Sequence, residues 1–136
     1  MTAINITVAN ILRRQNACAA IRITWPASNG IQITNGQCYQ VSFDVAGAAP
    51  NTTIYVTNVD LIDGSGNFVQ TQWFGKIDPT AQSSTPYFNL NLGMNPVNGG
   101  NYAFQITALV NGQSCLINSV VFQGLYNTYS NAVRCP

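Results

Sequence analysis

Histidine and glutamate are absent from this 136-residue chain, whose only acidic side chains are Asp44, Asp60, Asp63 and Asp78. Without histidine, no Ser-His-Asp or Cys-His arrangement can be built, and side-chain acid–base work falls to aspartate. Positive charge is equally scarce: Arg13, Arg14, Arg22, Lys76 and Arg134 bring the charged fraction to 7% and the formal net charge to +1, where an average soluble domain is roughly 25% charged. So few cations leave no electrostatic footprint for nucleic acid or anionic lipid, and neither is expected as a partner. No apolar run approaches the roughly 18 residues that cross a bilayer, so no membrane span is expected. Residues 1–17 lack the charged and then apolar succession of a secretory signal, and the chain is read as already processed or exported by another route. Glycine-rich phosphate loops, CxxC spacings and cysteine–histidine sets are missing, so no cofactor and no metal centre is expected. The chain is not expected to be an enzyme.

What is present is uncharged polarity. The sequence holds 17 Asn, 12 Thr, 10 Gln and 8 Ser beside a 46% hydrophobic fraction. That fraction is enough for a core and argues against disorder, which combines low hydrophobicity with high net charge. The length fits one compact domain.

Alternation with a period of two dominates the chain and assigns faces. In residues 38–45 the apolar set is Tyr39, Val41, Phe43 and Val45, and in 101–109 it is Tyr102, Phe104, Ile106 and Ala108, with Ala103 on the outward side. Phe88, Leu90 and Leu92 repeat the pattern, Ile21, Ile23 and Trp25 form one face of an earlier strand, and Ile31 and Ile33 a short one. Residues 53–62, 68–74 and 116–122 complete the set, separated by turn signals such as PASNG at 26–30, DGSGN at 63–67 and NGQ at 111–113. The spacing predicts an all-β fold, a two-sheet antiparallel sandwich of about seven strands. Hairpins are expected across DGSGN and NGQ. An immunoglobulin-like plan and a jelly roll both remain open, because alternation fixes faces and not strand order.

Cys18, Cys38, Cys115 and Cys135 are read as disulfide formers, which implies an oxidising or extracellular destination. In the immunoglobulin-like plan the first and last strands start at the same end of the sandwich, which places Cys18 near Cys115. The second strand starts, and the last one finishes, at the other end, which pairs Cys38 with Cys135. Bonds between subunits through cysteines flanking the N-terminal arm are the competing arrangement.

That arm, residues 1–17, stands outside the strand set of the 18–136 sandwich. Within it Ile4, Ile6 and Val8 alternate with Asn5 and Thr7, and Arg13-Arg14-Gln15-Asn16 reads as a linker. One expectation is an extra edge strand on the protein's own sheet. The other is an exchanged strand that adds to the open edge of a neighbouring copy, making the chain a homo-oligomer or filament. The near absence of charge favours such contacts, since edge lysines and like-charge repulsion are what keep sandwiches apart.

Lesser candidates remain. Asp60 with Asp63 has the residue types of a glycosidase pair, and Asp60, Asp63 and Asn67 offer oxygens to calcium without the spacing of a calcium loop. Trp73, Phe74, Tyr87, Tyr126 and Tyr129 are candidate rings for stacking on sugar, which keeps a cell-wall glycan as an alternative partner. Asn5-Ile6-Thr7 and Asn51-Thr52-Thr53 match the N-glycosylation pattern.

The run ITWPASNGIQITNGQCYQVSFDV, followed later by GGNYAFQITALVNGQ, resembles the immunoglobulin-like module of Ser/Thr-rich fungal cell-wall proteins over roughly residues 21–123. That likeness implies a secreted wall or carbohydrate-binding module. The arm with a nearby Cys18 and the Asn/Thr surface are similar to subunits of bacterial endospore appendages. This second resemblance implies a fibre on the spore or cell surface, in which an N-terminal connector makes intersubunit disulfides.

Overall fold

The computed structural model describes residues 18–126 and 132–136. The arm, with Ile4, Ile6 and Val8, and the ring of Tyr129 lie outside the described residues.

Ten strands follow in chain order: β1 (Arg22–Trp25), β2 (Gln32–Thr34), β3 (Cys38–Tyr39), β4 (Ser42–Asp44), β5 (Ile54–Asp63), β6 (Phe68–Ile77), β7 (Phe88–Asn89), β8 (Gly100–Val110), β9 (Gln113–Asn118) and β10 (Phe122–Leu125). They form two layers. The larger sheet runs β2-β10-β8-β5-β6, with β9 on the same edge of β8 as β10. The smaller layer pairs β1 with β4 and β3 with β7, joined by a bridge from Ser42 to Ser84. All ladders are antiparallel except β10 with β2, which run parallel through Gly124 and Ile33. The chain thus leaves the smaller layer after β1 and joins the larger one as β2, and the strands β5, β6, β8, β9 and β10 face β1, β3, β4 and β7. That order is the immunoglobulin-like plan and not the jelly roll. A further mark is Tyr102 near the start of β8, whose hydroxyl accepts the Val97 N–H at 3.0 Å, the arrangement of a tyrosine corner.

The layers meet through the alternating apolar faces. Val41 and Phe43 from the smaller layer and Val56, Val59, Leu61, Phe104, Ile106 and Phe122 from the larger one are fully buried. Phe88 meets Phe104 edge-on across the interface, with ring centroids 5.8 Å apart, and Phe104 lies 4.8 Å from Phe122. Ala103, expected on the outward side, is also buried, and so is its cross-strand neighbour Ile62.

Where single strands were expected, the ladder is broken. Residues 38–45 divide into β3 and β4 because Pro86, opposite the break, has no N–H to donate. The buried Thr85 hydroxyl accepts the Val41 N–H there, and the Thr85 N–H donates to the Val41 carbonyl. Residues 116–122 divide into β9 and β10 at a bulge, where Ser119 donates its N–H to the Phe104 carbonyl and accepts the Phe104 N–H on its hydroxyl. Both expected hairpins form. Asp63 accepts the Ser65 and Asn67 N–H groups in one, and Asn111 and Gly112, both at positive φ, turn the other.

Cys18 is bonded to Cys115 and Cys38 to Cys135, with Cα separations of 5.4 and 5.5 Å. These are the pairs placed together by the immunoglobulin-like plan. No cysteine is left free within the chain. Each bond spans 97 residues of sequence, a separation worth about 4 to 5 kcal/mol on the chain-entropy model.

Candidate functional site: an open seam between the sheets

The two long sides of the sandwich differ. On one, β6 and β7 belong to different layers, and Gln72 of β6 spans them. Its amide nitrogen donates to the Asn91 carbonyl at 2.8 Å, and its amide oxygen accepts the Asn91 N–H at 2.8 Å. The side chain takes the place of a strand partner for Asn91 and ties the two layers there, while β6 itself pairs only with β5, and a groove of about 380 Å³ lies between residues 68–70 and 92–94.

On the opposite side β1 and β9 confront each other. No hydrogen bond links these two strands among the described residues, and β9 has only β8 as a ladder partner. Between them runs a groove with a volume of about 470 Å³, lined on its apolar walls by Ile21, Ile23, Pro26, Ile117 and Val120. Alternation explains the lining. Ile23 and Ile117 sit half-buried against the core, while Arg22, Thr24, Leu116 and Asn118 point outward. Both ends are fixed. The Cys18–Cys115 bond ties the start of β1 to β9. At the other end the chain crosses layers after Pro26, and the Gly30 N–H donates to the Val121 carbonyl at 2.9 Å. Beyond that point β2 covers β10, so the uncovered part of the sheet edge is confined to β9.

On the outer face of β1, the Arg22 Nε donates to the Asp44 Oδ2 at 2.8 Å. That hydrogen bond is the main force holding the Asp44 carboxyl below its ordinary 3.8, against the smaller opposing effect of desolvation, with the Ala46 N–H adding to it. Asp78 is also lowered, first by the Thr80 hydroxyl and then by the Thr80 N–H.

The other candidates are dispersed. Asp60 accepts the Thr71 hydroxyl on the outer face of β5, and Asp63 holds its turn, so the two carboxylates support one hairpin and do not flank a cleft. Asn67 donates its N–H to the same Asp63 carboxylate. No group of three metal-ligating side chains is assembled among the described residues. Trp73 packs against the core with its ring over Gly75, where a Cβ would lie 2.6 Å from the ring. Phe74 is 76% exposed, whereas Tyr87 and Tyr126 stand apart as singly exposed rings. Asn51, of the described glycosylation pattern, is exposed in a turn at positive φ; Asn5 lies outside the described residues. Gln72, which ties the layers on the opposite side, and Thr85 and Ser119, which sit at the two ladder breaks, carry no sequence signal beyond being polar.

No family model matches the chain, and no curated protein matches it. Among solved structures, a chain of the crystal structure of Dpr1 IG1 bound to DIP-eta IG1 is similar over 77% of this chain and 96% of that one, with 11% identity and a TM-score of 0.33. The domain is immunoglobulin-like by its own strand order, and its two disulfides suit an extracellular module. Among the described residues no helix is long and apolar enough to cross a membrane.

Proposed function

We propose that the protein is a non-enzymatic structural subunit, secreted or displayed on a cell or spore surface, that assembles with copies of itself through residues 1–17. The observation that carries this reading is the side of the sandwich where, among the described residues, β1 and β9 face each other without strand pairing, leaving a groove between the Cys18–Cys115 bond and the crossover after Pro26. The sequence supplies a matching element in the alternating Ile4, Ile6 and Val8. A head-to-tail contact of this kind propagates into a ring or an open filament. A net charge of +1 leaves little repulsion to oppose it. The likeness to endospore-appendage subunits supports the same reading, although cysteines already bonded within the chain leave cohesion to strand pairing and apolar contact.

The test is particle size by light scattering and negative stain for the full chain and for its Ile6→Asp variant. Large particles from the former and monomers from the latter are the expected outcome; monomers from both sink the reading.

A wall glycan is the second reading. What favours it is Phe74, whose exposed ring lies beside Asn58, Gln70 and Thr71 in a shallow groove on the larger sheet. A glycan array read with the Phe74→Ala variant tests it, and an unchanged signal removes that ring from the reading.

A further inference from the structure

The geometry points to the β1–β9 seam as the acceptor for residues 3–8 of a second copy, which add as a strand along the edge of β9 that faces away from β8. This inference rests on the assembly proposed above and names its receiving surface.

Three features of the seam select its occupant. The first is shape. The apolar walls, Ile21 and Ile23 on one layer and Ile117 and Val120 on the other, lie between the sheets, and the strand edge beside them, with no second ladder partner among the described residues, is that of β9. A guest therefore needs apolar side chains on one face and backbone hydrogen-bonding groups along one edge, which is what a β-strand of alternating pattern presents. Ile4, Ile6 and Val8 face inward in that pose, with Asn5 and Thr7 outward beside the exposed Leu116 and Asn118. The second is length. From Ile21 to Pro26 the seam is six residues long, roughly 20 Å of extended chain, and residues 3–8 span the same distance. The third is placement on the sheet. β2 already augments this edge over β10 and stops there, so a strand on β9 prolongs the row that β2 begins.

A second copy is the source because of the connecting segment. Residues 9–17 lie between the strand and Cys18, which is bonded at the mouth of the seam. A return into the chain's own seam needs only the two to five residues of a hairpin loop. Nine residues reach about 30 Å when extended, the scale of a neighbouring domain.

Two full-length variants test it, one Ile6→Cys and the other Ile117→Cys, mixed and treated with a short bis-maleimide that links free thiols and leaves the native disulfides alone. The expected result is a two-chain product in the mixture, at least tenfold above either variant alone and above a mixture of Ile6→Cys with Phe68→Cys. Wild-type-sized particles without that product overturn the seam as acceptor and leave assembly standing. A link within one doubly substituted chain, independent of concentration, also overturns it, because the strand then belongs to its own body. Absence of particles from the unsubstituted protein is the distinct failure of the assembly reading itself.

Discussion

Gln72 and Asn91 are joined by two 2.8 Å hydrogen bonds between one side-chain amide and one backbone unit, a pairing that ties the two layers together on one side of the sandwich. Replacing Gln72 with Ala removes both bonds and leaves the Asn91 groups to water. The expected loss is about 1 to 3 kcal/mol in urea unfolding, with faster amide exchange at Asn91. Unchanged exchange there means that the side is held by other contacts.

Thr85 is the only buried polar residue among those described, and its hydroxyl accepts the Val41 N–H at 3.1 Å. Thr85→Val keeps the shape and orphans a buried donor, for an expected loss of about 1 to 3 kcal/mol. Thr85→Ser keeps the acceptor and is expected to lie closer to the parent. Equal loss in both variants places the effect in packing instead.

These two residues show what the sequence could and could not reveal. The inward faces of 38–45 and 101–109 were legible because a half-buried strand must alternate, and the two hairpins because DG and NG turns are local. The ends of the strands were not. Thr85 and Val41 are 44 residues apart, and Phe104 meets Ser119 through a bulge, so the ladder breaks depend on partners that no local window contains. The parallel pairing of β2 with β10 is hidden for the same reason. The cysteine pairs followed from strand plan rather than spacing, while the seam requires knowing which edges of two sheets fall on one side.

Removal of the Cys18–Cys115 bond by double replacement with Ser frees the start of β1 from β9. The expected cost is about 2 to 5 kcal/mol, read as a lower midpoint in guanidinium under non-reducing conditions. A midpoint within error of the parent contradicts a role for this bond in holding the first strand.

Acid should weaken the fold through Asp44 and Asp78. Both carboxyls ionise more readily in the native state than at their ordinary 3.8, so their contribution is complete above that value and disappears as pH falls through the lower native values. The melting temperature of the parent is expected to drop below about pH 4, and the Asp44→Asn, Asp78→Asn double variant to show a shallower drop over that window. Parallel curves for the two proteins assign the acid sensitivity elsewhere.

The two disulfides also decide how the body responds to tension between Cys18 and Cys135. One covalent route crosses to Cys115 and follows the chain to Cys135; the other follows the chain to Cys38 and crosses there. Each contains about 20 residues and can stretch to roughly 70 Å. The long stretch from Cys38 to Cys115, which holds β4 to β8 and most of the core, hangs off both routes and bears no pull once they are taut. Strung in series, such bodies would make a cord that yields a little and then stops.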